Sequence, residues 1–449
     1  MKNWIGVILA AGKGKRMNSG ISKPLHEICG KPLIKYTVDT LKKSGISNII
    51  VIVSPTNLDP IKRLFGTSVR YVIQEQPLGT GHALLQCSNL VAHSSTNLMV
   101  TGCDSPLLKH QTLTALSRIH LEKSAYMSIL TAKITGPTDL GIIKRDDYDS
   151  VFRIVETHES KNTDSPKEVN SGTYCFDSNW ISSFLTNLRQ SNVGEYYLTD
   201  SVEYAYKNKN TLASMITEYP EESFGINNRI QLAHLERIVR QQIREKWMLK
   251  GVTMLDPNST FIDSDSQIGK DSIMYPNTYI SGKSKIGSNC TIGPSSFIKD
   301  STIGDFSTII SSFVQGSILK DHVTVGPFSH LRPGSYIERK VHIGNFGEIK
   351  DSRLGEGVKM GHFGYVGDTT VGAQSNLGAG LVTCNFDGQK KHKTQIGKKV
   401  FIGSDSILVA PVSIGDNAAT GAGSVITKNV PAYRLAIGIP AKIKEKPAE

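Results

Sequence analysis

The chain has 449 residues, 39% of them hydrophobic, and a formal net charge of +11; it is long enough for two or three domains and apolar enough to exclude disorder. The basic balance suits phosphorylated small molecules as well as nucleic acid, but no Lys/Arg run is long enough for a nucleic-acid tail, so no nucleic-acid partner is expected. Six scattered cysteines without a CxxC pair argue against a disulfide framework or zinc site, and no stretch approaches the roughly 18 apolar residues of a membrane span.

At the N-terminus "IGVILA" (5–10) reads as a buried strand. Glycines and cations follow it at once, which makes a poor signal peptide, so a cytoplasmic location is expected. The loop after it, "AGKGKRMNSGISKPLH", crowds Lys13, Lys15, Arg16 and Lys23 around Gly12 and Gly14. Glycines let a backbone approach a ligand closely, and their amides donate to phosphate oxygens. The loop is neither GxGxxG before a helix nor GxxxxGK[ST], so a solvated surface turn is the plain alternative. Further strands are expected at 48–53, 69–73 and 97–101, with helices at 33–45, closed by Gly45, and at 80–91. Strand–helix alternation implies a mostly parallel sheet covered on both faces, with ligands at the carboxyl ends of the strands. Asp104, before Ser105-Pro106, reads plainly as a helix N-cap.

Residues 229–249 contain neither Gly nor Pro and place Leu232, Leu235, Val239 and Ile243 at helical spacing, as one linking helix. From about 252 apolar residues recur every six positions: Ile268, Met274, Ile280, Ile286, Ile292, Ile298, then Val325 to Ile349, then Ile396 to Ile414. This period fits a parallel β-helix of hexapeptide repeats, three sides to a coil, with Gly helping to turn the corners and caps needed at the ends. The expected organisation is a domain at 1–228, the helix at 229–250 and the prism at 251–449. "GLVTCNFDGQKKHKTQ" (380–395) breaks the repeat and reads as an inserted functional loop. His362 stands in the repeat region as either a structural histidine or a base, and a thiol nucleophile at Cys384 is not favoured.

"LAAGKGKRM", "KPLH", "QPLGTGHA", "GCDSPLL", "IVE", "VNSGTY", "GEYYLTD" and "GINNR" occur in the order seen in sugar-phosphate nucleotidylyltransferases. With the hexapeptide half, nearly the whole chain resembles the bacterial bifunctional family of UDP-N-acetylglucosamine pyrophosphorylases and glucosamine-1-phosphate N-acetyltransferases. The resemblance implies a Rossmann-like α/β nucleotidyltransferase domain followed by a left-handed parallel β-helix. It implies that Leu9, Ala10, Ala11, Gly12 and Arg16 line the nucleotide, Lys23 its phosphates, and Gln74, Gly79 and Thr80 the uracil. Gly141, Glu156 and Asn170 would hold the N-acetylglucosamine, and Asp104 and Asn227 would bind Mg²⁺. His362 would be the general base that takes a proton from glucosamine-1-phosphate as its amine attacks acetyl-CoA. Arg332 and Lys350 would hold the sugar phosphate, with Tyr365 and Asn376 on the sugar. Ala379, Asn385, Phe386, Ser404 and Ala422 would contact acetyl-CoA, with Lys391 and Lys393 near its phosphates. UTP and acetyl-CoA are the implied co-substrates, and a homotrimer through the β-helix is implied.

The chain departs from the family pattern in five places. Leu140 and Ile142 flank Gly141 where an aromatic and an Arg are usual. The loop at Asp104 is one residue longer, with Thr101 for a Tyr. His158 stands for a Lys and Phe386 for a Tyr, and Pro440 falls near the place of an Arg expected on the coenzyme. Two rival readings remain: a single-activity sugar-1-phosphate nucleotidylyltransferase whose β-helix serves only as a scaffold, and a non-enzymatic binding protein.

Overall fold

The computed structural model describes the chain except residues 2, 92–95, 137, 157–165, 192–193 and 447–449, so His158 lies outside the described residues. Contacts divide the chain into two units, Met1–Val239 and Arg240–Glu449.

The first unit opens on β1 (Trp4–Leu9), apolar throughout because both its faces are covered. There follow α1 (Leu33–Lys43), β2 (Asn48–Val53), α2 (Leu58–Phe65), β3 (Arg70–Ile73), α3 (Thr80–Leu85), α4 (Ser88–Val91), β4 (Asn97–Gly102), α5 (His110–Glu122) and β5 (Met127–Ile134). Next come the antiparallel pair β6 (Ile142–Arg145) and β7 (Val151–Val155), then β8 (Lys167–Asp177), α6 (Ser178–Thr186), α7 (Asp200–Lys207) and β9 (Leu212–Ile216). The main strand order is β9-β5-β8-β4-β1-β2-β3. Neighbours from β4 to β3 are parallel, while β8 inserts antiparallel to both β4 and β5. Alternate side chains feed two cores. Val7, Ile50 and Val100 pack with Leu84, Ile181 and Leu185; Ile8, Ile49 and Met99 pack with Ile34, Leu41 and Leu116.

The expected single helix at 80–91 is two. Between them the amides of Gln86 and Cys87 bond to carbonyls three residues back, and the Cys87 thiol donates to the Leu84 carbonyl, so the turn tightens and the α-pattern stops. The N-cap alternative for Asp104 also fails, because α5 begins at His110 with Lys109 at its cap. Gly45 ends α1 as expected, at φ 88°.

The helix α8 (Arg229–Met248) buries Leu235 and Val239, and its last turn puts Trp247 into the core of the second unit beside Val252 and Met254. From Thr253 short strands stack into three parallel sheets, the faces of a left-handed β-helix. Each strand pairs with the third one along: Ile273–Met274 with Thr291–Ile292, and that with Thr308–Ile309. The first face holds these strands, the second those in line with Thr278–Ser281, and the third those in line with Lys285–Ile286. Inward Ile268, Met274, Ile280, Ile286, Ile292 and Ile298 are at most 5% exposed. The apparent gap before Val325 is filled by Ile303, Ile309, Val314 and Leu319, equally buried but on five- or six-residue sides, so the coil is shortened rather than interrupted.

Some corner glycines turn the chain as expected, Gly293 at φ 97° among them, and others are required for close stacking of the coils. A Cβ on Gly269 would lie 2.5 Å from the Gly287 carbonyl carbon of the next coil, so close stacking demands glycine there. The left-handed corner conformation is shared by glycines such as Gly282, Gly326 and Gly334 and by Asp271, Asn277 and Asn289. The inserted loop is also shorter than expected. Leu381–Cys384 and Thr394–Ile396 are prism strands, leaving only 385–393 outside. An antiparallel pair, Arg434–Ile437 with Lys442–Glu445, closes the last coil of the first face. No helix among the described residues is long and apolar enough to cross a membrane.

Candidate active sites

In the first unit a cleft of about 830 Å³ opens at the carboxyl ends of β1, β3 and β4. Every candidate binding residue of this half lines it: Leu9, Ala10, Ala11, Gly12, Arg16, Lys23, Gln74, Gly79, Thr80, Asp104, Gly141, Glu156, Asn170 and Asn227. The loop after β1 is held from beneath by buried Asn57, whose amide donates to the Ala10 carbonyl (2.9 Å) and to Ser22 Oγ (3.0 Å). The amides of Gly12 and Gly14 donate to nothing among the described residues, and a Cβ on Gly12 would meet nothing within 4 Å. The loop thus presents free donors to open space, flanked by Lys13, Lys15 and Arg16.

Two further groups of residues sit against this loop. Gln74 is buried and donates to the Gly79 carbonyl (3.2 Å), while Thr80 Oγ1 accepts from the Leu198 amide (3.0 Å). Gly79 is obligatory: at φ 111°, a Cβ would lie 2.5 Å from the Tyr196 carbonyl oxygen. On the other side the Asn170 amide bonds to the Gly141 carbonyl (2.8 Å), and Thr199 Oγ1 donates to Glu156 Oε1 (2.8 Å). A side chain at 141 would strike Ile154, which fixes glycine there whatever its neighbours Leu140 and Ile142 are.

At the floor, the Lys23 ammonium bonds to the Asp104 carboxylate and to Asn227 Oδ1 (3.0 Å). Burial is the largest single influence and pulls Lys23 down, but the Asp104 charge, the neighbouring Cys103 and the hydrogen bond to Asp104 together outweigh it, and the net pKa lies above the ordinary lysine value. Two hard oxygens, one carboxylate and one amide, therefore already converge on a cation. That donor set fits Mg²⁺, which takes few protein ligands and completes its shell with phosphates and water. No group of three or more His, Cys, Asp or Glu suited to a metal occurs among the described residues.

The sequence reading missed Asp139, which accepts from Arg16 (3.3 Å) and Asn227 (2.8 Å), and Thr199, although the latter lies in the quoted "GEYYLTD". Asn57 carried no sequence signal, being one asparagine in a turn.

In the second unit the chosen residues fall on two edges of one prism face. His362, Ala379, Ser404 and Ala422 occupy the corner between the first and second faces in successive coils. Backbone bonds tie that corner together: Gly380 to Phe363 (2.7 Å), Asp405 to Ala379 (2.6 Å), Gly423 to Ser404 (2.8 Å). Asn376 enters it from the first face. Arg332, Lys350 and Asn385 stand at the opposite corner, and Tyr365 on the second face between them, paired with Glu348. His362 is exposed, and its ring makes no hydrogen bond among the described residues.

The second corner is strongly cationic. The Lys391 amine beside Lys350, and then Arg332, hold the Lys350 ammonium below the ordinary lysine value. Arg332 also pairs with Glu348 (2.8 Å). Asn385 is buried and donates to Asp368 and Tyr365. Phe386 pairs with Lys391 across a hairpin whose tip is held by Asp387, which accepts from His392 Nε2 (2.6 Å) and two amides; 60% of Phe386 is exposed. Asp387 and His392, which shape this loop, were not anticipated.

The nucleotidyl transferase family model matches residues 5–247, and the bacterial transferase hexapeptide model matches 393–428. The bifunctional protein GlmU of Syntrophomonas wolfei is 42% identical over 433 residues, 96% of each chain. The chain belongs to the GlmU family. GlmU of a Geobacillus species is 41% identical over 96% of this chain and 94% of its own, and that of Halalkalibacterium halodurans 40% over 97% and 96%. As a GlmU-family protein the chain is a bifunctional transferase, a uridylyltransferase unit followed by a hexapeptide acetyltransferase unit. This reading prevails over the single-activity and non-enzymatic alternatives. Membership of the family also points to a divalent-metal requirement, small-molecule substrates and oligomerisation through the β-helix.

Proposed function

We propose that the second unit transfers the acetyl group of acetyl-CoA to the amine of glucosamine-1-phosphate. The first unit then transfers UMP from UTP to the resulting N-acetylglucosamine-1-phosphate, releasing pyrophosphate. The observation that carries this reading is the convergence of Lys23, Asp104 and Asn227 beneath the free amides of Gly12 and Gly14.

In uridylyl transfer a sugar-phosphate oxygen attacks the α-phosphorus in line. Such a displacement needs positioning and charge neutralisation rather than a covalent nucleophile. Gln74, Gly79 and Thr80 hold the uracil, Gly141, Glu156 and Asn170 the sugar, and Arg16 and the loop amides the phosphates. Asp104 and Asn227 hold Mg²⁺, which when bound supplies charge stabilisation to the phosphates.

In acetyl transfer His362 takes the proton from the attacking amine, work suited to an imidazole. Arg332 and Lys350 neutralise the sugar phosphate, a role supported by the cationic corner they share with Lys391. Tyr365 and Asn376 orient the sugar. Ala379, Ser404, Ala422, Asn385 and Phe386 line the coenzyme, with Lys391 and Lys393 toward its phosphates.

A homotrimer is proposed. An aromatic ladder on the second face supports it: Phe261 and Tyr279 stack at 4.4 Å, Phe297 and Phe313 lie 5.9 Å apart, and Tyr279 and Phe313 are 42% and 51% exposed. A cytoplasmic location is part of the same reading.

Two separate assays test the function: glucosamine-1-phosphate with acetyl-CoA, and N-acetylglucosamine-1-phosphate with UTP and Mg²⁺. Turnover in both is expected, and failure of either overturns the assignment for that unit.

A further inference from the structure

The oxygens of Asp104 and Asn227 are bridged by an amine of the chain itself, Lys23 Nζ. Lys23 and Asp104 are only 16% and 22% exposed, so the pair is largely shielded from water. The lysine stem passes close to the loop backbone. Gly14 sits against it at φ 57°, where a Cβ would lie 3.0 Å from Lys23 Cβ. An ammonium and a divalent ion cannot both sit on the same two oxygens, because like charges a few ångströms apart repel strongly where water is scarce.

We propose that Lys23 is a resident stand-in for the divalent ion. It neutralises Asp104 while the cleft lacks nucleotide, and it leaves only when phosphate oxygens arrive to accept its charge. This inference rests on the reading of Asp104 and Asn227 as the metal ligands. Two consequences follow from the geometry. A free divalent ion does not load the nucleotide-free cleft, and the ammonium set free is already beside the phosphates it then contacts. Metal and nucleotide therefore enter as coupled events, with Lys23 as the coupling and positioning residue.

The test is Mn²⁺ binding, followed by electron paramagnetic resonance on the full-length protein, with and without UTP and without sugar phosphate. In the absence of UTP, Lys23→Met is expected to bind Mn²⁺ at least about tenfold more tightly than the unsubstituted protein, since its two oxygens are released. Adding Asp104→Asn to that variant should abolish the gain. Arg16→Met removes a nearby charge that does not touch Asp104 and should shift affinity by less than about threefold. Lys23→Ala serves as a second variant, and thermal unfolding of each confirms that the first unit is folded. If the nucleotide-free protein binds Mn²⁺ as tightly as Lys23→Met, or if Arg16→Met matches Lys23→Met, the stand-in role is overturned. The ligand assignment is read separately, with UTP present. There Asp104→Asn alone should weaken Mn²⁺ binding, and no weakening overturns that reading instead.

Discussion

The first unit gathers one cleft from residues between Leu9 and Asn227, brought together by six or more loops, whereas the second builds each corner from residues one coil apart. In the sheet, a neighbour in space is rarely a neighbour in the repeat of the sequence. Lys23, Asp104 and Asn227 meet only because β1, β4 and the segment before α8 end at the same edge. In the prism, position along the chain translates into position in space once the 385–393 insertion is set aside, so His362, Ala379, Ser404 and Ala422 align coil by coil. A sheet site therefore depends on many independent packing decisions, and a prism site on one.

The largest effects are expected from disabling each unit alone. Asp104→Ala should lower uridylyl transfer on the order of 10³-fold, and His362→Ala should lower acetyl transfer by roughly 10²–10⁴-fold. Each should leave the other half-reaction unchanged, as the two assays will read.

Acid should separate the units next. Both buried histidines among the described residues, His26 and His120, belong to the first unit. Burial holds His120 down to about 4 from the ordinary 6.5, against a smaller upward pull from Asp177. The native state thus binds fewer protons than the unfolded chain between these values. The stability His120 contributes is complete above pH 6.5 and declines as pH falls toward 4, by up to about 3 kcal/mol. Thermal unfolding across this range should show the first unit weakening, with a flatter response in His120→Gln.

Glycine substitutions sharpen the contrast further. Gly269→Ala forces a Cβ into the next coil and should cost about 1–3 kcal/mol of prism stability. Gly12→Ala meets nothing within 4 Å, so it should leave the melting temperature unchanged while weakening UTP binding, read by calorimetry. The smallest effect is expected at Asp177, whose carboxylate caps α6 by accepting from the Trp180 amide (2.8 Å). Asp177→Ala should cost the first unit about 1 kcal/mol in denaturant unfolding and leave the prism untouched.

Much of this molecule is written in its apolar spacing. The six-residue period of Ile268 to Ile298 marks the inward positions, because every side of a β-helix buries the same place in the repeat. The strands around β1 and β2 stand out because they are apolar on both faces. The Gly12–Lys23 loop stands out as a candidate phosphate-binding element because glycines and cations crowd it with no carboxylate among residues 9–26. The break at Cys87, the shortened coils after Ile298 and the true limits of the 385–393 loop are not written in the local sequence. They depend on which carbonyl a thiol reaches and on how the next coil stacks.

The two architectures, the order of the motifs and the residue types at each site can be read along the chain, since hydrophobic period and local charge are properties of sequence neighbours. That Asn57 supports the loop, that Asp139 and Thr199 join the cleft, and that Lys23 rests between Asp104 and Asn227 depends on long-range packing. Those contacts join residues as many as 204 positions apart, and no pattern within the chain encodes which distant oxygen a buried ammonium will find.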